Sequence, residues 1–583
     1  MAVENLITDH IDIWTSAVKT KSTSGRGSSK KLELYGVKKL RELILELAMR
    51  GKLVPQNPND EPASVLLDRI AEEKKKLIEN KKLRKSKDLN EISEKDIPYR
   101  IPSTWKWCYL SDLGSIIGGG TPKSNEDVYW TDKGVKWLTP ADLYGLKSKY
   151  IGSGKRDITN LGLEKSSAQL LPKGSVLFSS RAPIGYVAIT SNELATNQGF
   201  KSVVPIFQEL SEYIYYFLKR SGKFIDAEAS GTTFKEVSGT VVSNVLTPLP
   251  PIAEQHRIVA KVDELMALCD QLEQQTEASI EAHQVLVTTL LDTLTNSVDA
   301  DELMQTWARI SEHFDTLFTT EESIDQLKQT ILQLAVMGKL VPQYSNDKVQ
   351  TTDLDPVVKK HRKLLSLATN TGKIDLTSFE SISKKVSFPD NWAVRPLAEV
   401  VLAVVDCPHS TPKWTDNGEI CVRTTQMAPF KLDLSSSRYV SSDTYIKRVE
   451  RLEPTEDDVL YSREGGILGI ACRVPSGTKL CLGQRMIVIR PSTFITSKFL
   501  ELVLNSPLIN EIARYNTTGG AAPRVNVAVI KGYPIPLPAL DEQNRIIDKA
   551  EELTEICNRL KVRLKESHTI QQDLTNAMVE QAV

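Results

Sequence analysis

Residues 249–273 read LPPIAEQHRIVAKVDELMALCDQLE, and residues 537–561 read LPALDEQNRIIDKAEELTEICNRLK. The two stretches match at an offset of 288 residues. A second pair, ILELAMRGKLVPQ from Ile44 and ILQLAVMGKLVPQ from Ile331, repeats at an offset of 287 residues. Because the offset is nearly constant, we interpret the chain as a tandem duplication of one unit.

The repeated stretches carry the pattern of long helices. Apolar residues recur in steps of four and three, which keeps one narrow apolar seam on a helix and is typical of a coiled-coil partner. Seven positions are assigned to this partner-helix seam: Ile258, Val262, Leu265, Leu272, Ile546, Leu553 and Leu560. Cys269 and Cys557 fall on the same seam, where a small buried thiol fits.

Two shorter helices precede the repeated GKLVPQ segments. Their apolar positions also step by three and four: Val37, Leu40, Ile44 and Leu47, then Ile324, Leu327, Ile331 and Leu334. We expect the helices to end at Gly51 and Gly338, because glycine adopts the left-handed C-cap conformation easily and the following proline prevents continuation.

The two middle regions have a different pattern, with short β-type runs separated by Gly, Pro and Asn. SVLFSS, GYVAI and KSVVPI lie in the first, and CLGQRMIVIRP lies in the second. One helical run is predicted in each, at 209–222 and at 499–515. Each middle region therefore reads as an α+β domain of about 150 residues. Their framework residues agree while their loops differ, as expected for one fold that binds two different ligands.

Composition narrows the function classes. The 583 residues hold 73 Lys and Arg against 74 Asp and Glu, which argues against a globally basic nucleic-acid coat but leaves local DNA binding open. No long apolar run predicts a membrane span, and the N-terminus lacks the pattern of a secretory signal. The 7 cysteines show no zinc spacing and fit free thiols in a reducing cytoplasm.

Catalytic motifs are missing from the sequence. It contains no P-loop, no HExxH, no GxSxG and no kinase set, and it lacks the tetrapeptide of an amino-methyltransferase. Asp406, Cys407 and His409 could suggest a metal, but no second group of ligands lies nearby in the sequence. We therefore predict that the chain is not an enzyme by itself, with no catalytic residues, no metal site and no cofactor of its own.

Polar loops in both middle regions suit DNA instead. Backbone amides of Gly-, Ser- and Thr-rich loops can approach phosphates, Arg can pair with guanine, and Asn or Gln can pair with adenine. Fifteen residues are predicted to contact DNA: Thr121, Lys123, Arg181, Asn197, Gln198, Lys201, Thr232, Lys235, His409, Lys413, Arg423, Arg463, Gln484, Arg485 and Arg524. Taken singly, each is more commonly a surface or turn residue, and only the matching loops in both copies favour the group. The charged stretch between Pro62 and Asp96 reads as a solvated helix plus linker, with a DNA-backbone contact as the alternative.

The Leu-Pro-x-x-x-Glu-Gln-x-x-Ile signature at 249–258 and 537–546, the GKLVPQ helix ends and the GGGTPK and TPADL segments together resemble the DNA-specificity subunit of type I restriction–modification systems. The resemblance covers about residues 35–583. It implies an α+β fold in which two homologous target recognition domains are joined and separated by long antiparallel coiled-coil helices, with a pseudo-twofold internal repeat. The domain boundaries are then a 1–60 N-terminal helical region, a 61–99 charged linker, target recognition domain 1 at 100–250, a 251–341 central helical spacer, a 342–388 linker, target recognition domain 2 at 389–539 and a 540–583 C-terminal helical spacer.

The resemblance also implies partners and function. Such a subunit binds an asymmetric, bipartite double-stranded DNA site inside a bacterial cytoplasmic complex. Two modification subunits would bring S-adenosylmethionine and adenine methyltransferase sites, and two restriction subunits would add ATP- and Mg-dependent translocation and cleavage. The alternative of a different class is a coiled-coil adaptor whose middle regions bind proteins and not DNA. Salt-sensitive, sequence-dependent DNA binding discriminates the two hypotheses.

Overall fold

A computed structural model of the chain describes residues 7, 9–21, 31–83, 89, 91–181, 183–229, 235–297, 300–344, 346–347, 354–364, 373–519 and 523–583. Contacts divide the chain into two compact units. The first unit comprises Met1–Ala278 and His568–Val583, and the second comprises Ser279–Ser567. The fold is mixed, with helices and β-sheets in both units.

In the first unit, some of the described helices precede the strands of the sheets in the sequence and others lie between them. They are Ile11–Ser16, Tyr35–Met49, Ala63–Glu79, Leu110–Leu113, Asn160–Glu164, Ser211–Ala227, Gly239–Ser243 and the first part of Ile252–Thr295, with 3-10 turns at Asp127–Tyr129, Pro140–Leu143 and Gln208–Leu210. The larger sheet has the strand order Gly114–Gly118, Lys201–Pro205, Val176–Phe178, Val187–Thr190, Tyr150–Ile151. The smaller sheet has the order Ala195–Thr196, Val135–Leu138, Arg156–Ile158, Trp130–Thr131. Two strand pairs complete the unit, Lys19–Lys21 with Lys31–Glu33 and Lys106–Tyr109 with Leu246–Leu249.

The second unit repeats this plan. Its described helices are Ala300–Ser311, Phe314–Leu317, Glu321–Val336, Leu354–Leu364, Thr377–Lys385, Leu397–Val400, Ser442–Val449, Ser497–Asn505, Pro507–Tyr515, Val527–Lys531 and most of Leu540–Ala582, with a 3-10 turn at Thr424–Gln426. One sheet has the order Val401–Asp406, Met486–Pro491, Val459–Ser462, Ala471–Arg473, and the other Trp414–Thr415, Arg438–Val440, Glu419–Val422, Leu480–Leu482. Ala393–Pro396 pairs with Pro534–Leu537, and Met427–Ala428 pairs with Lys431–Leu432.

In both copies the first and last strands of the middle region pair with each other. Leu249 lies opposite Lys106, and Leu537 lies opposite Ala393. The chain therefore leaves each middle region beside the place where it entered. The predicted strands at SVLFSS, GYVAI and KSVVPI are confirmed, as is the strand at the end of CLGQRMIVIRP.

The predicted helix ends at the GKLVPQ segments are confirmed. Gly51 and Gly338 have φ values of 67° and 71°, the left-handed region that favours glycine. The amide of Lys52 donates to the Leu47 carbonyl at 2.9 Å, and that of Lys339 donates to the Leu334 carbonyl at 3.0 Å. These bonds satisfy carbonyls at the end of each helix in a Schellman arrangement.

Each of these glycines also packs against the tryptophan that begins the middle region. A Cβ atom on Gly51 would lie 2.5 Å from Cγ of Pro102 and 3.1 Å from Cζ2 of Trp105. The second copy has the same close approach between Gly338, Pro389 and Trp392. The repeated GKLVPQ segment is therefore fixed by backbone conformation and by contact with its middle region.

A buried carboxylate completes what we call the first joint, formed by Gln56, Trp105 and Glu254. Trp105 Nε1 and Gln56 Nε2 donate to the two carboxylate oxygens of Glu254 at 2.9 and 2.5 Å. Burial raises the pKa of Glu254 above its usual value, and the two donors oppose that rise. The joint connects a helix end, the start of a middle region and the first turn of the long helix Ile252–Thr295.

The second copy has an equivalent second joint, formed by Gln343, Trp392 and Glu542. Trp392 Nε1 donates to Glu542 Oε1 at 2.8 Å. Burial again raises the pKa of Glu542, against the opposing donors Trp392 and Gln343. The sequence repeat thus corresponds to a repeated set of hydrogen bonds between distant segments.

The apolar seams are buried, with each seam residue at most 7% exposed. Leu553 belongs to one core cluster with Leu327 and Ile331 of the preceding helix. In the first unit Arg41 bridges Asp270 and Glu273, each at 2.7 Å, so the helix Tyr35–Met49 lies along the long helix there. The partner helix of the seam is thus another helix of the same unit, and the seam is not an open surface for a second protein. Cys269 and Cys557 are fully buried, as expected.

The helical run expected at 499–515 differs from the prediction, because it is two helices. Ser497–Asn505 ends before Ser506, whose φ of −70° and ψ of 155° are extended, and Pro507 begins the second helix. Proline lacks an amide hydrogen and disfavours the helical region for the residue before it. The run predicted at 209–222 forms one helix, Ser211–Ala227.

The stretches predicted as linkers contain packed helices. Ala63, Leu66 and Ile70 of the helix Ala63–Glu79 are buried, so the first half of 61–99 is docked. In 342–388, Arg362 Nε donates to the Leu402 carbonyl at 3.0 Å, and its Nη2 to the Val401 carbonyl at 2.6 Å. The charge composition suggested that these stretches are exposed to solvent, but in both of them a helix packs against the rest of the unit.

Candidate nucleic-acid interface

The smaller sheet of the first middle region places two loops at one edge. The strands ending at Leu138 and Thr196 are parallel, with Leu138 opposite Thr196. The chain therefore leaves both strands at the same end of the sheet. We call this end the first loop edge. The loops that begin here are 139–149 and 197–200.

Five predicted DNA-contacting residues meet at or beside the first loop edge. Thr121 Oγ1 donates to Gln198 Oε1, and Lys201 Nζ donates to the Gln198 carbonyl at 3.4 Å. Arg181 and Lys201 both contact Glu236, at 2.9 and 3.3 Å. Asn197 Oδ1 accepts from the Gly199 amide at 2.9 Å, so the side-chain oxygen is used within its own loop.

The first loop edge keeps an excess of positive charge. The hydrogen bond from Arg181 lowers the pKa of Glu236 below its usual value, so that carboxylate is charged at neutral pH and offsets one of the two cations beside it. Lys123 and Lys235 are exposed. Thr232, also predicted to contact DNA, lies outside the described residues.

The second middle region has an equivalent second loop edge. The strands ending at Val422 and Leu482 are parallel, and the Gly483 amide donates to the Val422 carbonyl at 2.7 Å. Gln484 Nε2 donates to the carbonyl of His409, which joins two of the predicted loops. Lys413 is exposed in the same loop as His409.

Two predicted arginines extend the second loop edge. Arg485 is half exposed, and its Nε lies 3.6 Å from Oε1 of Glu464. Arg524 is exposed, and its backbone bridges that of Glu464. Arg423 follows the strand ending at Val422, and its Nε is buried with no acceptor among the described residues.

Arg463 differs from its prediction as a base-reading residue. It is 7% exposed, and its Nε and Nη2 donate to the two carboxylate oxygens of Asp406 at 3.0 and 2.9 Å. A buried bidentate pair of this kind is strong and leaves the guanidinium unavailable for a base. Its place in the sequence, directly after a strand, could not reveal this, because Asp406 is 57 residues away.

One arginine and one glutamate have opposite places in the two loop edges. Arg181 bridges Glu236 in the first, whereas Glu464 bridges Arg524 in the second, at the same point of the strand plan. The arginine and the glutamate have changed places. A ligand approaching the two edges therefore meets the same framework with differently placed charge.

Arg448 holds two of the predicted loops in place, which the sequence did not reveal. It is buried, and its guanidinium donates to the carbonyls of Leu482 and Gly483 at 2.6 and 2.8 Å. It also donates to the carbonyls of Pro408 and Ser410, each at 3.2 Å. One side chain thus positions both the His409 loop and the Gln484 loop. An arginine within a charged helix carries no sequence signal for this role.

Neither loop edge has the composition of a metal centre. Within the ranges that the structure covers, no group of three or more His, Cys, Asp or Glu side chains could hold a metal ion. His409 Nε2 lies 3.4 Å from Asp406, which is already paired with Arg463. No helix among the described residues is long and apolar enough to cross a membrane.

Residues 102–282 and 389–567 both match the family described as the type I restriction modification DNA specificity domain. The chain belongs to this family. It is 36% identical to the specificity subunits of the Escherichia coli type I restriction enzymes EcoEI and EcoAI, and each alignment covers 100% of both chains. Specificity subunits are non-catalytic components of restriction–modification complexes, and so is this chain.

Other relatives match less of the chain. The specificity subunit of MjaIX from Methanocaldococcus jannaschii is 36% identical over 189 residues, which is 32% of this chain and 43% of that one. The crystal structure of the HsdS subunit from Thermoanaerobacter tengcongensis is 18% identical and covers 83% of this chain and 98% of its own, with a TM-score of 0.39. At that TM-score the likeness adds nothing to the family assignment.

Proposed function

We propose that the chain binds an asymmetric double-stranded DNA site made of two separate blocks, and that each middle region reads one block. The observation that carries this proposal is the pair of loop edges, which share a strand plan and differ in their polar side chains. Arg181 and Glu236 occupy positions that Glu464 and Arg524 occupy with the charges exchanged. Two such edges suit two different sequences of one kind of ligand.

The long helices suit a spacer between the blocks. Ile252–Thr295 has 44 residues and would span about 66 Å at about 1.5 Å per residue. Half-sites one helical turn apart are about 34–36 Å apart on DNA, so a helix pair of this length could hold two reading domains at such a separation. The proposal includes an antiparallel coiled-coil arrangement and a pseudo-twofold relation between the copies, for which the sequence repeat is the support.

The chemistry belongs to partners in this proposal. Modification subunits bring S-adenosylmethionine and methylate adenine, and restriction subunits use ATP and Mg to translocate and cleave DNA. Two of each are proposed, in the cytoplasm. Support comes from the names of the full-length relatives, which are specificity subunits of type I restriction enzymes. This chain would select the DNA site and would act as the scaffold for its partners.

The test begins with the full chain purified together with its host's modification subunits. Duplexes bound from a random-sequence pool are recovered and sequenced at two salt concentrations. Two short enriched blocks around a fixed gap, lost as salt rises, are the expected result. If no sequence is enriched, or if only one contiguous block is enriched, the proposal is wrong and the middle regions are better explained as the protein-binding parts of an adaptor.

A further inference from the structure

Both middle regions display an apolar aromatic side chain beside their loop edges. Tyr144 is 80% exposed in the loop that begins after Leu138, and Phe430 is 44% exposed in the loop that begins after Val422. Single exposed apolar side chains are common on protein surfaces, and what distinguishes this pair is that both lie in the same loop of the two copies.

The two aromatic residues occupy equivalent loops. Each loop starts with a 3-10 turn, Pro140–Leu143 in the first copy and Thr424–Gln426 in the second. Each turn is closed by a capping box, through Asp142 in the first and Gln426 in the second. The aromatic side chain follows within four residues of the end of that turn.

The first of these loops is held at its base. Asp142 Oδ2 accepts from the Thr139 amide at 2.7 Å, and Oδ1 accepts from the Lys155 amide at 3.1 Å. Pro140 Cγ lies 3.0 Å from the Cβ position of Gly199, in the loop that carries Gln198. Tyr144 therefore projects from a fixed base next to a predicted base-reading loop.

The second loop is held as firmly. Gln426 Nε2 donates to the Asp433 carbonyl at 3.1 Å, and the Phe430 amide donates to the Ala471 carbonyl at 3.2 Å. Ala471 pairs with Tyr461, two residues before Arg463 at the second loop edge. The tip of this hairpin is thus tied to the start of the edge strand Ala471–Arg473.

Phe430 also has a strained backbone. Its φ is 64°, in the left-handed region that a bulky residue avoids. In the first loop the residue with that conformation is Gly145, with φ of 73°, directly after Tyr144, so the two aromatic residues stand one position apart in their turns. Strain of this kind persists where the surrounding structure imposes it and is concentrated at binding sites. Glycine would relieve it, so stability does not account for a phenylalanine there.

An exposed lysine follows each aromatic residue closely in the sequence. Lys147 is exposed three residues after Tyr144, and Lys431 is exposed next to Phe430. A lysine for the phosphate and an aromatic ring for the base face form the combination that proteins use to contact partly unstacked DNA.

We propose that Tyr144 and Phe430 insert against base faces of duplex DNA, each at one block of the bipartite site, while Lys147 and Lys431 contact the adjacent phosphates. This inference rests on the proposed DNA reading and adds two contact residues to it. The partial unstacking would make the energy of binding depend on how easily that base step deforms.

The test uses the full chain with its modification subunits and a duplex selected from the random-sequence pool, with 2-aminopurine placed singly along each block. Wild-type binding should raise the fluorescence at one position in each block, as a base loses its stacking. Tyr144→Ala should abolish the rise in one block only, and Phe430→Ala in the other. Each should weaken binding by about five- to a hundred-fold, the range for losing one aromatic–base contact.

Exposed apolar side chains outside the two loops provide the controls. Leu161 and Ile446 are 44% and 64% exposed, on helices that follow strands running back to the opposite edge. Leu161→Ala and Ile446→Ala should leave affinity and fluorescence unchanged. Phe430→Gly should weaken DNA binding as Phe430→Ala does while raising the melting temperature, which a residue kept for folding would not do.

The outcomes separate the two proposals. If the wild-type complex selects no duplex, DNA reading fails and this inference fails with it. If it selects a bipartite duplex but the Tyr144 and Phe430 variants bind with unchanged affinity and fluorescence, only the aromatic contacts are overturned. Loss of modification-subunit binding in these variants, with no block-specific change in DNA, would assign the two loops to a protein interface and also overturn the inference.

Discussion

At the scale of single residues, the arginines of the second middle region have sharply different roles. Arg485 and Arg524 stay exposed at the second loop edge, whereas Arg463 is buried against Asp406. Arg448 is buried as well and binds backbone carbonyls of two loops. Residue type alone does not distinguish a base-reading arginine from one that positions a loop, because the difference lies in what the guanidinium meets.

Arg448 is the residue whose loss should expose this positioning role. In Arg448→Met the four loop carbonyls lose a charged donor, so we expect the free energy of unfolding to fall by about 3 kcal/mol. Selected DNA should lose sequence preference in one block and keep it in the other. Thermal unfolding and selection from the random-sequence pool measure the two effects.

Arg451, exposed three residues further on, provides the matched control. Arg451→Met should change neither stability nor the selected sequences. An equal loss of preference in both variants would mean that general positive charge, and not the carbonyl contacts of Arg448, governs that block.

At the scale of elements, the seam of the last long helix packs against a helix of the second unit. Leu553 of Leu540–Ala582 is 3% exposed and shares a core cluster with Ile331 of Glu321–Val336. Helices of this length gain most of their stability from such packing and little from helix propensity. The joints add directional contacts, since Glu254 and Glu542 each receive a tryptophan donor at a helix start.

A pair of substitutions on one helix tests where its packed face lies. Leu553→Asp would bury an unpaired carboxylate, and we expect it to lower the free energy of unfolding of the second unit by more than about 4 kcal/mol. Val562, 56% exposed on the same helix, should tolerate Asp within about 0.5 kcal/mol. Denaturant unfolding followed by circular dichroism compares them. Similar stability of the two variants would refute the buried seam.

At the scale of the whole molecule, each middle region is a closed insertion between helices. Its first and last strands pair, as Lys106–Tyr109 with Leu246–Leu249 and Ala393–Pro396 with Pro534–Leu537. The joint residues Trp105 and Glu254 lie just outside the first strand pair. A middle region can therefore be replaced between these points with the joint intact, while the ion pairs that Lys149 and Arg220 make with Asp263 and Glu46 of the helices must be kept in the replacement.

This closure predicts modular specificity. Replacing residues 106–249 by the corresponding segment of another family member should change one enriched block of the selected DNA and leave the other block and the gap as they were. The physical reason is that the second loop edge lies wholly in residues outside the exchange. A change in both blocks would show that the two middle regions do not read DNA independently.

The sequence by itself determined the parts of this protein that depend on local order. The tandem repeat, the apolar seams, the helix ends at Gly51 and Gly338 and the strands of the middle regions all follow from spacing and from backbone preferences. The repeat is visible when the two halves of the chain are compared, and the other features depend on residues that are close together in the sequence. The family resemblance drew on the same repeated motifs.

Only the tertiary structure decided what the individual polar residues do. It paired Arg463 with Asp406, brought Arg448 under two loops and placed Tyr144 and Phe430 beside the loop edges. It also showed that the second seam packs against a helix of its own unit and that the two predicted linkers contain packed helices. In each case the deciding partner lies tens to hundreds of residues away, and a side chain's availability depends on that partner more than on its neighbours in the sequence.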